Sequence, residues 1–168
     1  DVSSAPYFPA KERTAEYREG LFVGYRYFET AKTPVLFPFG FGLSYTTFEY
    51  SGLTVTEKEA SFTLKNTGGM DGAEVAQLYV SKPDGEVFRP AKELKGFAKV
   101  FLKAGESKKV TIPLDDKAFR YFNVDTNKFE VEGGAWTVLI GASCADIKLS
   151  GTVEVQGTGA KSPYDKVK

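Results

Sequence analysis

Phe37-Pro38-Phe39-Gly40-Phe41-Gly42-Leu43-Ser44-Tyr45-Thr46-Thr47-Phe48-Glu49-Tyr50 begins as an aromatic run punctuated by proline and glycine and ends in alternation. Pro38 fixes one backbone torsion and removes a donor, while Gly40 and Gly42 admit backbone conformations closed to residues with a Cβ. The run therefore predicts a rigid, tightly routed connector whose rings pack against a core. Phe48 and Tyr50 fall on one face at a period of two, so the connector passes into a strand.

Outward from there the alternation repeats. Phe62 and Leu64 alternate with Ser61, Thr63 and Lys65, and Asn66-Thr67-Gly68-Gly69 then breaks the chain into a turn. Ala76, Leu78 and Val80 form a second apolar face ended by Pro83-Asp84-Gly85, which has the chemistry of a tight turn. Residues 94–102 read as a strand with a bulge at Gly96, because one register cannot hold the alternation across it. Val110, Ile112 and Leu114 face one way as far as Pro113 permits, and Asp115 is placed to cap a short helical turn through Ala118. Phe119 and Tyr121, then Phe129 and Val131, predict two short strands around a polar turn at residues 123–128. Trp136, Val138 and Ile140 alternate, as do Ile147, Leu149, Val153 and Val155. Nothing after Tyr50 keeps helical spacing. Short strands at regular spacing, separated by glycine, proline and asparagine, predict an all-β antiparallel sandwich of the fibronectin III or immunoglobulin kind, with Trp136 as a core anchor. Residues 1–42 form an irregular arm and connector, with Pro6 and Pro9 early in it and a short helical turn at residues 11–17. Residues 43–156 form the sandwich, and residues 157–168 a linker or tail.

Composition bounds the chemistry. A chain of 168 residues with 42% hydrophobic content is one globular domain able to bury a core. Its 22 basic and 22 acidic residues cancel, which argues against nucleic acid and an anionic membrane surface as partners. No run is apolar for the roughly 18 residues of a membrane span. The lone Cys144 excludes an internal disulfide, and the absence of histidine removes the imidazole from metal, proton-shuttle and serine-triad chemistry. No metal and no cofactor is expected. A start at Asp1 reads as a processed or cut piece; no export signal and no N-x-Ser/Thr sequon is present, and the cytoplasm is favoured slightly over secretion.

The connector resembles the signature with which family 3 glycoside hydrolases of the β-glucosidase type pass into their fibronectin type III-like domain. Tyr17-Arg18-Glu19-Gly20-Leu21-Phe22-Val23-Gly24-Tyr25-Arg26-Tyr27-Phe28 is similar to the segment that precedes it in the family. So are, downstream and in order, Leu64-Lys65-Asn66-Thr67-Gly68, Gly72-Ala73-Glu74-Val75-Ala76-Gln77-Leu78-Tyr79-Val80 and Arg89-Pro90-Ala91-Lys92-Glu93-Leu94-Lys95-Gly96-Phe97. The resemblance spans residues 17–155. It departs at Phe41, where many members carry histidine or tyrosine, so a polar contact made there in relatives is lost.

The resemblance implies a retaining β-glucosidase whose aspartate nucleophile lies in a barrel, in a Ser/Thr-Asp-Trp-like motif, and whose glutamate acid/base comes from an α/β sandwich domain. Neither is found in this chain, where the single tryptophan follows Ala135. Other carboxylates give no pair suited to glycoside hydrolysis. Asp115 and Asp116 are adjacent and suit a cap, and Glu57 and Glu59 suit a solvated rim. The expected function is a non-catalytic accessory domain of the parent hydrolase, supporting packing, stability and the active-site rim. Its partners would be the barrel and α/β domains, the β-glucoside reached through them, and a second copy in a homo-oligomer. Tyr7, Phe8, Tyr17, Leu21, Phe22, Tyr25, Arg26, Tyr27 and Phe28 are expected at the interdomain contact, because the arm holds more apolar surface than a loop can bury alone. Phe88, Arg89 and Lys92, in the polar loop of residues 81–92, and Glu19 are the candidates for the rim or an interface. Glu19 reads otherwise as an ion-pair partner of Arg18 or Arg26. Two other classes are compatible with the sequence. One is a free-standing carbohydrate-binding module with Tyr79, Phe88, Tyr121 and Phe122 as its strip, and the other is an adhesive sandwich with no sugar link.

Overall fold

Residue 14 and residues 16–158 are described by the computed structural model. Tyr7, Phe8, most of the turn expected at residues 11–17 and the tail beyond residue 158 lie outside the described residues. One short helix, α1 (Tyr25–Thr30), precedes the strands β1 (Phe48–Val55), β2 (Glu59–Asn66), β3 (Gly72–Ser81), β4 (Glu93–Leu102) and β5 (Ser107–Pro113). A 3-10 turn at Asp116–Ala118 leads to β6 (Arg120–Asn123), β7 (Lys128–Val131), β8 (Gly134–Gly141) and β9 (Ile147–Val155). Every strand pair is antiparallel. The sheets run β1-β2-β5, β4-β3-β8-β9 and, as a separate hairpin, β6-β7. Among the described residues no helix is long and apolar enough to cross a membrane.

The two larger sheets pack face to face through the side chains that the alternation selects. Phe62 and Leu64 meet Leu78, Val80, Ile112, Val138 and Ile140 in a core closed at one end by Trp136 and Phe119. Each such side chain contributes about 1.5–3 kcal/mol by leaving water, which is how the sandwich stands without a disulfide. Two bulges adjust the phase. In β1 the register shifts between Ser51 and Thr54 around Gly52, whose φ of 66° favours glycine, so Phe48 and Tyr50 point inward before it and Leu53 and Val55 after it. In β4 the expected bulge is present: Leu78 pairs with Gly96 but Tyr79 with Leu94, leaving Lys95 as the extra residue. Gly96 also permits a close approach across the sandwich, since a Cβ there would lie 2.6 Å from Ile112 Cγ2.

Asp115 caps the 3-10 turn as its sequence predicts, its Oδ1 accepting from the Lys117 amide at 2.9 Å. Asn66, read as a turn former, ends β2 instead and is wholly buried. Its Nδ2 donates to the carbonyls of Met70 and Leu102, and its Oδ1 accepts from Thr46 Oγ1 and the Gly68 amide. Every hydrogen-bonding position of the amide is thus used, which is what makes its burial tolerable. Gly157 and Thr158, at the start of the expected tail, are pinned to β7, where the Thr158 amide donates to the Val131 carbonyl at 3.1 Å.

Candidate functional site

Unlike most antiparallel sheets with a solvated side, β3 is buried on both faces over part of its length. Gln77 and Tyr79 point away from the core, yet both are buried. Their cover is the connector and α1, which lie on the outer face of the four-stranded sheet. Gln77 Nε2 donates to the Gly40 carbonyl at 3.1 Å and to the Ala142 carbonyl at 2.7 Å, and its Oε1 accepts from the Tyr79 hydroxyl at 2.5 Å. Gly40 has φ of 81°, and a Cβ there would stand 2.1 Å from Gln77 Oε1. Only glycine fits this clasp on both counts. Burial is the main reason that the Tyr79 phenol is pushed well above its usual range.

The helix α1 is docked by its own polar groups. It ends in a Schellman arrangement, with Lys32 at φ 52° and the Thr33 amide donating to the Phe28 carbonyl. The Leu94 amide donates to the Tyr25 hydroxyl at 2.8 Å and the Ala91 amide to Thr30 Oγ1 at 2.9 Å. Lys92 pairs with Glu29 at 2.7 Å and Arg26 with Glu93 at 3.7 Å. Tyr25 stacks on Phe39, with centroids 4.5 Å apart, and meets Tyr79 edge-on. The Cys144 amide donates to the Phe39 carbonyl and the Cys144 thiol to Glu29. Burial, aided by Glu29, pushes that thiol up to about 11.

This arrangement divides the residues expected at an interdomain contact. Tyr25 and Arg26 are spent on the sandwich itself, whereas Tyr17, at 92% exposure, and Tyr27 lie open. Phe22 is half-buried against Phe88 at 4.9 Å, and Phe28 packs edge-on against Tyr27. Glu19 is half-buried with its carbonyl accepting from the Phe22 amide. Arg18 pairs with Glu16 and Arg26 with Glu93.

Between the connector and the end of β3 lies a groove of about 680 Å³. β8 stops pairing with β3 at Gln77, while β3 runs on to Gly72 alongside β4 alone. The groove occupies the space so left, lined by Phe39, Phe41, Leu43, Val75 and Phe97 and by the polar side chains of Ser44, Thr46, Thr47, Gln77, Asp146 and Lys148. Glu74 and Tyr50 also line it. Burial raises the carboxyl of Glu74 above the usual range, and burial followed by the charge of Glu74 does the same to the Tyr50 phenol.

The loop at residues 81–92 is polar in sequence but firmly held. The Arg89 guanidinium lies 4.8 Å from the ring centre of Tyr121 and 5.0 Å from that of Trp136, and it pairs with Glu132 at 3.4 Å. Glu132 also accepts from the Glu86 amide at 2.7 Å, and Ser81 donates to the Ala91 carbonyl. Arg89 and Lys92 are therefore fastening groups in this fold, and Phe88, 78% exposed, is what the loop presents. The neighbouring hairpin closes over Glu130, whose carboxylate accepts from Thr126 Oγ1 at 2.5 Å, Asn123 Nδ2 at 2.8 Å and the Tyr121 hydroxyl at 3.2 Å. Those bonds, Thr126 first, hold its carboxyl below the usual range. Phe122 and Phe129 meet edge-on on the outside of the hairpin, and both are exposed.

The strip proposed for a carbohydrate-binding module is broken up by this packing. Tyr79 lies beneath the connector, Tyr121 beneath Arg89, and Phe88 and Phe122 do not join them in a plane of open rings. Among the described residues no group of three or more His, Cys, Asp or Glu side chains comes together to hold a metal ion. The conspicuous acids have structural tasks: Asp115 caps, Glu130 and Glu132 accept hydrogen bonds that hold the hairpin and the loop, and Glu57 and Glu59 are exposed at the rim.

Residues 74–144 match the family described as Fibronectin type III-like domain. The chain is 49% identical over 159 residues to the thermostable β-glucosidase B of Acetivibrio thermocellus, covering 90% of this chain and 21% of that protein. It is 45% identical to an exo-α-(1→6)-L-arabinopyranosidase of Bifidobacterium breve, over 97% of this chain and 22% of that one. The crystal structure of a GH3 β-glucosidase from Bifidobacterium adolescentis superposes on the whole chain with a TM-score of 0.91 at 43% identity, and 26% of that protein is covered. The chain thus spans about a fifth to a quarter of the length of these relatives.

Proposed function

We infer, for a chain that belongs to the fibronectin type III-like regions of family 3 glycoside hydrolases and carries the connector leading into one, that its parent hydrolyses terminal non-reducing β-D-glucosyl residues with retention. The region itself is the non-catalytic accessory domain of that enzyme. In this reading the nucleophile and the acid/base come from the barrel and the α/β sandwich domain, and the present residues hold those domains in place. The observation that carries it is the near-complete alignment of this chain to a fifth of a β-glucosidase. Phe88, on its anchored loop beside Phe22, is the contact this domain offers to the active-site rim or to a neighbouring domain.

An arabinopyranosidase matches almost as well as a β-glucosidase, so both sugars belong in the test. The test is to assay the full-length polypeptide with aryl β-D-glucoside and aryl α-L-arabinopyranoside and to follow the anomer released by NMR. Hydrolysis of the glucoside with retention is expected. Absence of glycosidase activity, or inversion, would overturn the reading.

A further inference from the structure

Two Asp-Gly pairs stand in the chain, Asp71-Gly72 and Asp84-Gly85. In such a pair the glycine amide can reach the aspartate carboxyl, because no Cβ stands in its way. The fold treats the two differently. Asp71 Oδ1 accepts from the Ala104 amide at 2.9 Å, and Gly72 opens β3 opposite Leu102, with Thr46 Cγ2 only 2.6 Å from where a Cβ would lie. Neither residue can turn without breaking into the sheet. Asp84 is exposed in the turn that Pro83 begins, where the Gly85 amide makes a long bond, 3.2 Å, to the Lys82 carbonyl. Among the described residues no group holds the Asp84 carboxylate.

We propose that Asp84-Gly85 is a self-modifying site, where aspartate converts to isoaspartate and loosens the loop of residues 81–92. The Gly85 nitrogen gives up its proton and attacks Cγ of the protonated Asp84 carboxyl. The new C–N bond closes a five-membered succinimide, and the carboxyl hydroxyl leaves with that proton as water. A water then adds to the main-chain carbonyl carbon of Asp84 and breaks its bond to the Gly85 nitrogen, so the chain runs on through the side-chain carbonyl. One water leaves and one enters, and no other reactant is consumed. The backbone is now longer by one methylene beside a tight contact. Gly85 lies against Glu132, whose carboxylate oxygens would stand 3.1 and 3.2 Å from a Cβ, and the Glu86 amide donates to Glu132 Oε1 at 2.7 Å. Displacing Glu86 removes that bond, and with it part of what holds Glu132 against Arg89 at 3.4 Å. The modification thus acts on the loop that presents Phe88.

The experiment is ageing of the full-length polypeptide in warm, mildly acidic buffer, natively and unfolded in guanidinium chloride, with peptide mapping over weeks. Isoaspartate is recognised as a peptide of unchanged mass, shifted retention and resistance to Asp-N cleavage. In the unfolded chain both pairs should convert at similar rates. In the native one, residue 84 should convert faster than residue 71 by about tenfold or more, since conversion at residue 71 waits on opening of the sheet. Equal native rates at the two, or no native conversion at residue 84, overturn the proposal. Asp84→Glu, which would have to close a six-membered ring, should give no product at that position. Hydrogen exchange at the Glu86 amide, compared between converted and unconverted fractions, should rise by about tenfold with the loss of its carboxylate partner. An unchanged rate there also overturns the proposal, since the loop would not have been loosened.

Discussion

At the hairpin end of the sandwich, Trp136 is enclosed by Phe119, Arg89 and Lys82, and Glu130 accepts from three side chains. At the connector end, Tyr25, Phe39, Phe41 and Phe97 supply four rings, but several of them face an open groove and Glu74 sits half-buried beside it. Both ends thus combine aromatics with a carboxylate. Where donors surround the acid its proton affinity falls, and where burial outweighs them it rises. In the first region the acid finds its donors within this chain. The second has the features of a surface built for something further.

The comparison can be broken most forcefully at Trp136. Trp136→Ala should destabilise the sandwich by about 3–5 kcal/mol, because it empties a core site and removes the ring beneath Arg89. Urea unfolding followed by far-UV circular dichroism checks this, and a loss below about 1 kcal/mol would mean that the hairpin end is not held as described. A smaller effect is expected at the clasp. Gln77→Ala leaves the carbonyls of Gly40 and Ala142 short of a donor, a cost of about 1–3 kcal/mol, and hydrogen exchange should rise in residues 37–45 ahead of the core strands.

The smallest effects are those of the two acids, and they have opposite signs. Glu130 is lowered in the fold, so its contribution is present above the unfolded value of about 4.3 and fades as pH falls through the folded one. Glu74 is raised, so its contribution is present below about 4.3 and is lost as pH rises through its folded value. Glu130→Gln should therefore flatten the acid limb of the stability profile, whereas Glu74→Gln should gain stability at pH 7 and none at pH 3. Melting temperatures across pH 3–8 would sharpen the comparison, and parallel shifts in the two variants would erase it.

The inner faces of the strands were legible because one residue in two must be apolar. Ala76, Leu78 and Val80, then Val110, Ile112 and Leu114, point inward as their spacing predicts, and Gly96 marks its bulge. The outer face of β3 was not legible. Gln77 and Tyr79 are covered by a segment that lies 37 residues upstream of Gln77, and no local pattern records a cover from so far away. Arg89 was hidden for the same reason. In sequence it belongs to a charged loop, and only the fold brings Tyr121 and Trp136 to its two sides. The family resemblance located these segments in order without saying which of their side chains would be spent inside the sandwich and which left facing outward.

Cys144 carries a practical consequence. Its amide holds the connector at Phe39, its thiol holds α1 at Glu29, and with the thiol pushed up to about 11 the sulfur stays protonated at pH 7. The sulfur is freed only when α1, which Ala91, Lys92, Glu93 and Leu94 also fasten, lifts as well as the connector. The chain thus carries its own latch indicator, a silent nucleophile whose alkylation rate counts how often the strap comes away from the sheet.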